Sequence, residues 1–150
     1  MQQSFGSMEM VGRLDKNSTL NKVDVLINWD LIRRELQGLY RRDQSKKGGQ
    51  EPFDPLMMFK AILLGQWHSL SDPKLEEALR VRIDFMIFCG LDLSDCVPDE
   101  TTLCRFRNRL IEKNKLDLLL RLINEQLQRH GLMMRGAVGA VVDATLLEPS

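Results

Sequence analysis

Apolar residues recur at three- and four-residue intervals through most of the chain, and the rhythm changes only near its end. Residues 1–27 are mixed and polar with few periodic apolar positions, and read as a loosely ordered arm. Asn28 is of a type that caps helix starts. Behind it Leu31, Ile32, Leu36 and Leu39 predict a helix over Trp29–Arg41. "RRDQSKKGGQEPFD", with its paired glycines, lysines and a proline, reads as a surface loop. Asp54-Pro55 is a cap followed by proline at the first helical position, and the helix it opens, "PLMMFKAILLGQW", is apolar on nearly every face. Such a helix is expected to be buried among others. Ser71-Asp72-Pro73 repeats the start signal and opens "PKLEEALRVRIDFMIFCG", which carries Leu75, Ala78 and Leu79 on one face and Gly90 as its stop. Asp99 caps the next helix, with Glu100 in its first turn, and Leu103, Phe106 and Leu110 share its buried face. A further helix over Leu116–His130 aligns Leu116, Leu119, Leu120, Ile123 and Leu127, and Gly131 ends it.

From Gly136 the residues become small and β-branched. "GAVGAVVDATLLEPS" predicts a strand ending near Asp143. The expectation is therefore a mainly α chain, a helical bundle followed by one strand whose partners lie elsewhere. Unpaired apolar strands favour aggregation, so the tail is expected to be disordered, docked on the helices, or folded back as a hairpin through Ala144.

Composition narrows this only a little. The chain has 150 residues, 43% hydrophobic and 28% charged, with zero formal net charge. That length suits one domain with a real core. The charge balance argues against a uniformly basic nucleic-acid binder but leaves room for a local basic face. Cys89, Cys96 and Cys104 are odd in number and lack zinc-ligand spacing, which fits a reducing cytoplasm. No signal peptide is apparent, and the longest apolar stretch, near Leu56–Leu64, contains Lys60 and is too short to span a bilayer. His68 and His130 are far apart, no nucleophile constellation or phosphate-binding glycine loop stands out, and the methionines and tryptophans read as packing residues.

Two stretches carry candidate chemistry. In the helix after Asp99, Arg105, Asn108 and Arg109 fall on one face opposite Phe106 and Leu110, with Arg107 flanking the apolar stripe. Guanidinium forks suit phosphate or guanine, and asparagine suits adenine edges. A solvated basic face on a core helix accounts for the same residues equally well. The link before this helix is longer than a standard tight turn, so any helix-turn-helix is only approximate. Arg33, Arg34, Arg41, Arg42, Lys46 and Lys47 form a second basic cluster, best explained as a solubilising surface. The other stretch is the strand end. Asp143, beside valines and alanines, is either a strand-end residue bonding a turn or a hard oxygen ligand for Mg²⁺ or Mn²⁺.

Taken in order, "FDPLMMFKAILLGQWHSLSDPKLEEAL", "FMIFCGLDLSDCVPDETTLCRFRNRL" and "VVDATLLEPS" resemble the N-terminal half of bacterial insertion-sequence transposases of the family 5 type, over about Asp54 to Ser150. The resemblance implies a DNA-binding helical domain (28–135, after the 1–27 arm) with a helix-turn-helix-like element. It also makes 136–150 the first strand of a ribonuclease-H-like catalytic domain. In such enzymes two aspartates and one glutamate hold Mg²⁺ or Mn²⁺ and cut and join DNA, and the first aspartate maps to Asp143. The positions of the other two carboxylates have no counterpart here, so the expectation is a truncated transposase that holds no metal stably and is inactive alone. The resemblance likewise favours DNA contact by Arg105, Asn108, Arg109 and Arg107, with the terminal inverted repeats as partner. A non-catalytic regulator, acting on those ends or in homo- or mixed oligomers with the full-length enzyme, and an inert helical remnant are the alternatives.

Overall fold

The computed structural model describes residues 19–39, 53–135 and 140–143. In chain order they form α1 (Thr19–Leu26), α2 (Trp29–Leu36), α3 (Pro55–Trp67), α4 (Asp72–Val81), α5 (Ile83–Cys89), α6 (Glu100–Glu112) and α7 (Leu116–Arg129), then β1 (Leu132–Arg135) and β2 (Ala140–Asp143). The described chain is thus mainly helical, as its periodicity predicts.

The all-apolar helix is the hub. Met57, Met58, Phe59, Ala61, Ile62, Leu63, Leu64 and Trp67 of α3 are all buried, and α2, α4, α5 and α6 pack around them. Gly65 lets α4 close on α3, because a β-carbon there would lie 3.0 Å from Leu75 Cδ2. The second layer is α7, which lies against α6, α1 and α2 through Leu119, Ile123 and Leu127. Gln126 on the same helix accepts a 2.6 Å hydrogen bond from the Asn28 backbone N–H, tying the α1–α2 corner to α7.

The start and stop signals work as their chemistry requires. The side chains of Asn28, Asp54, Ser71 and Asp99 accept from the free N–H groups of Asp30, Met57, Lys74 and Thr102. Gly90 and Gly131 end α5 and α7 with φ of +76° and +71°. Asn114 does the same for α6 at +56°, using the asparagine tolerance for left-handed backbone.

Four expectations need correction. The helix expected over Trp29–Arg41 ends at Leu36, where Gln37 is extended (φ −63°, ψ 139°). The segment taken as arm includes α1, whose Leu20 and Val23, followed by Ile27, place buried side chains at i, i+3 and i+7. Residues 1–18 of that arm lie outside the described residues. The single helix expected from Pro73 to Gly90 breaks at Arg82, which is extended (φ −94°, ψ 115°). On an unbroken helix Arg82 would share the stripe of Leu75, Ala78, Leu79, Phe85, Met86 and Cys89, and its charge would be buried. The break instead brings its guanidinium out to Asp84 (2.7 Å) and over the Phe85 ring (4.0 Å). Finally, the strand expected to be an orphan is paired: β2 runs antiparallel to β1, with Leu132 opposite Asp143 and Arg135 opposite Ala140. β1 was hidden because "LMMR" follows a helix directly and is too short for alternation to show. The strands adjoin α7 and α1, and the suggested turn at Ala144 lies outside the described residues.

Gly90 offers a clean test of the break between α5 and the following loop. Nothing lies within 4 Å of a β-carbon added there, so Gly90→Ala adds backbone strain without a clash. Urea unfolding of Gly90→Ala should show a loss of about 1–2 kcal/mol with unchanged m. An unchanged midpoint would show that the left-handed stop is not needed.

Candidate nucleic-acid interface

α6 is built two-sided. Leu103, Phe106 and Leu110 are buried against the core, and Thr101, Arg105, Asn108 and Glu112 are exposed on the opposite side. Its start is held by Asp99, whose carboxyl stays below the usual carboxylate range because the Thr102 backbone N–H donates to it. The Glu100 N–H is taken too, donating to Glu76 Oε1 of α4 at 2.7 Å. With these amide groups engaged by carboxylates, the start of α6 is closed to phosphate.

The four residues expected to meet DNA do not share one face. Arg105 and Asn108 are exposed together, with Asn108 Nδ2 near Cys104 Sγ at 3.7 Å. Arg109 is half-buried and donates to the Leu39 backbone carbonyl at 3.5 Å. Arg107 points to α4, where its Nη1 and Nη2 donate to both carboxylate oxygens of Asp72 at 2.7 and 2.6 Å. The Asp72 bond holds the Arg107 guanidinium above its ordinary pKa, and the same bond holds the Asp72 carboxyl below its own. The partnership was invisible in sequence because the residues are 35 positions apart. The acid in "LSDP" gave only a helix-start signal.

An open groove of about 620 Å³ lies between the starts of α4 and α6, lined in part by Ser71, Asp72, Glu100, Thr101, Cys104 and Arg107. Its acids outnumber its single cation, so it does not suit a phosphate backbone. Of the second basic cluster, Arg33 is paired with Asp54 (2.8 Å) and Arg34 is exposed, whereas Arg41, Arg42, Lys46 and Lys47 lie outside the described residues. Lys115 joins Glu35 at 3.0 Å and, with the Arg109–Leu39 contact, brings the end of α2 beside the end of α6.

Asp143 ends β2 opposite Leu132, and its side chain lies outside the described residues. Among the described residues no three His, Cys, Asp or Glu come together as metal donors. Cys89 is buried in the core, where desolvation pushes its thiol up to about 12. Desolvation also lowers His68, which stacks near Phe85 and contacts the Leu64 carbonyl at 3.1 Å. No helix among the described residues is long and apolar enough to cross a membrane.

A helical domain that presents one helix with a buried stripe and an exposed Arg/Asn face is compatible with nucleic-acid recognition. Comparison with known families makes the class specific. Residues 9–109 match the family described as Transposase domain (DUF772), a stretch that runs from before α1 to Arg109 of α6. The chain belongs to this transposase-domain family. No solved structure matches it.

The pairing of Asp72 with Arg107 has a pH signature. The folded-state pKa of Asp72 is depressed, so its stabilising effect is present above the ordinary carboxylate value, about 3.9, and is lost as pH falls through and below it. Asp72→Asn should therefore lower the urea midpoint at pH 7 and flatten its decline between pH 5 and 3, relative to the parent. An equal decline in both proteins would assign the acid sensitivity to other groups, such as Asp54.

Proposed function

We propose that this chain carries the DNA-end-binding part of a transposase, with the exposed side of α6 as its reading surface. The observation that carries the reading is the two-sided build of α6 in a chain of the transposase-domain family. Leu103, Phe106 and Leu110 fix the helix in the core, so that Arg105 and Asn108 are held outward on a rigid element. Side chains of this kind reach guanine and adenine edges in a major groove. Contact is made by the flank of the helix rather than by its acid-capped start. This departs from a standard helix-turn-helix, in which the first residues of the second helix read the bases. Arg109 of α6, half-buried beside the Leu39 carbonyl that follows α2, borders the surface and lends positive charge more than direct readout.

In this reading residues 28–135 are the DNA-binding domain, with α1 packed onto it, and 136–150 open a ribonuclease-H-like catalytic domain in which Asp143 is the first of three carboxylates. Its partners would be the terminal inverted repeats of the mobile DNA and other copies of the transposase. Asp143 suits Mg²⁺ or Mn²⁺, and the other metal donors of this reading are not among the described residues, where no three His, Cys, Asp or Glu come together.

Fluorescence anisotropy with a labelled duplex from the terminal repeat, against a scrambled duplex, tests the proposal. Arg105→Ala with Asn108→Ala should weaken binding to the terminal duplex by about 10- to 100-fold and reduce its advantage over the scrambled one. Wild-type affinity equal for both duplexes, or unchanged in the double variant, would remove α6 as the reading surface.

A further inference from the structure

We infer that Arg107 is a positioning residue that orients α6 through α4 and makes no contact with nucleic acid, and that Asp72 is the other half of the device. This rests on the DNA-binding reading of α6 and assigns Arg107 the opposite role from its neighbours. Both terminal nitrogens of the guanidinium are committed to Asp72, at 2.7 and 2.6 Å, and the two side chains are only 32% and 20% exposed. Arg107 lies two residues from Arg105, about 200° around the helix, and so faces away from the reading side.

A second contact turns the ion pair into an orienting clamp. Asp72 and Glu76 are one turn apart on α4. Asp72 holds the middle of α6 through Arg107, and Glu76 holds its first residue through the Glu100 N–H. The earlier α4 residue meets the later α6 residue, so the helices run in opposite directions. The two α6 anchors are seven residues apart, about 10 Å along the axis. A helix held at one point can pivot, whereas one held at two such points is fixed in rotation and in slide. The buried stripe alone sets rotation loosely, since Leu and Phe tolerate small shifts, and the bidentate fork adds direction. The clamp therefore decides how squarely Arg105 and Asn108 face outward.

Asp72→Ala distinguishes this role from a phosphate contact, because the two make opposite predictions. If Arg107 touched phosphate, removing its intramolecular carboxylate would free the guanidinium and tighten DNA binding. If it positions α6, Asp72→Ala and Arg107→Ala weaken binding alike. The measurement is anisotropy with the labelled terminal and scrambled duplexes across a salt series, on full-length protein held well below its unfolding transition, with circular dichroism confirming the fold. The expected result is a loss on the order of tenfold in both variants with an unchanged slope of log affinity against log salt. Arg107→Lys, which keeps the charge without the fork, should restore only part of the loss. Tighter binding by Asp72→Ala, or a slope reduced by about one in Arg107→Ala, would overturn the inference in favour of a phosphate contact. Wild-type affinity in both folded variants would reduce the pair to a purely structural role and also overturn it. No binding by the wild type to either duplex would overturn the DNA-binding reading and this inference together, and is distinguished by being seen before any substitution is made.

Discussion

The ammonium of Lys60 constrains the rest of the bundle. It projects from the middle of α3, the helix that packs against four others, and its side chain is only 13% exposed. A buried charge without partners would be costly enough to expel the helix or neutralise the lysine. Here three elements converge on it. Asp24 of α1 accepts at 3.2 Å, the Phe88 carbonyl of α5 at 3.0 Å, and the Trp29 ring at the start of α2 lies 4.3 Å away. Trp29 Nε1 in turn donates to Asp24 at 2.8 Å, and its ring meets Phe88 edge-on. One cation thus draws α1, α2 and α5 to a single point on the hub. An entirely apolar α3 could have accepted its neighbours in several rotations; the charge singles out one.

The same logic recurs at lower cost nearer the surface. α6 leaves the hub through Leu103, Phe106 and Leu110, and polar contacts then fix its orientation: Arg107 to Asp72, the Glu100 N–H to Glu76, and Arg109 to the Leu39 carbonyl. Apolar burial supplies most of the driving force, but it is non-directional. The charged contacts between elements choose among the ways of burying the same surface. In this chain the arginines of "CRFRNR" divide accordingly: Arg107 and Arg109 spend their donors within the fold, and Arg105 keeps its face to solvent.

That division explains what could and could not be read from the residues in order. Caps and stops depend on neighbours within four positions, so Asn28, Asp54, Asp99, Gly90 and Gly131 were legible. So was the buried stripe of α6. Arg82 was legible in principle, since its place on the stripe of Leu75, Ala78, Leu79 and Met86 forbids an unbroken helix, yet its effect depends on there being a core on that side. α1 has only Leu20, Val23 and Ile27 to mark it, and β1 is four residues long. Signals so short are lost against polar neighbours. The fate of each arginine was not legible, because a helical wheel gives direction without saying what stands there. Arg105 and Arg107 look alike in sequence and differ through Asp72, which only the packing of α4 on α6 brings near.

Zero net charge remains compatible with a DNA-binding role once the pairs are placed. The cations of Arg33, Lys60, Arg107 and Lys115 are neutralised by Asp54, Asp24, Asp72 and Glu35. These pairs tie separate segments together and leave no surplus field. Positive potential at the interface must then come from a few exposed residues rather than from the protein as a whole. Each phosphate neutralised contributes about −0.9 to the slope of log affinity against log salt, so a surface built around Arg105 should have a shallow dependence and modest affinity as a single copy. Discrimination would rest on geometry, on Arg105 and Asn108 arriving together at base edges, and any tight complex would need several such surfaces acting at once. On the proposed reading, a helix with so little charge would be useful only if its angle were fixed to within a contact distance, so the orienting pair between α4 and α6 would matter more than another surface cation.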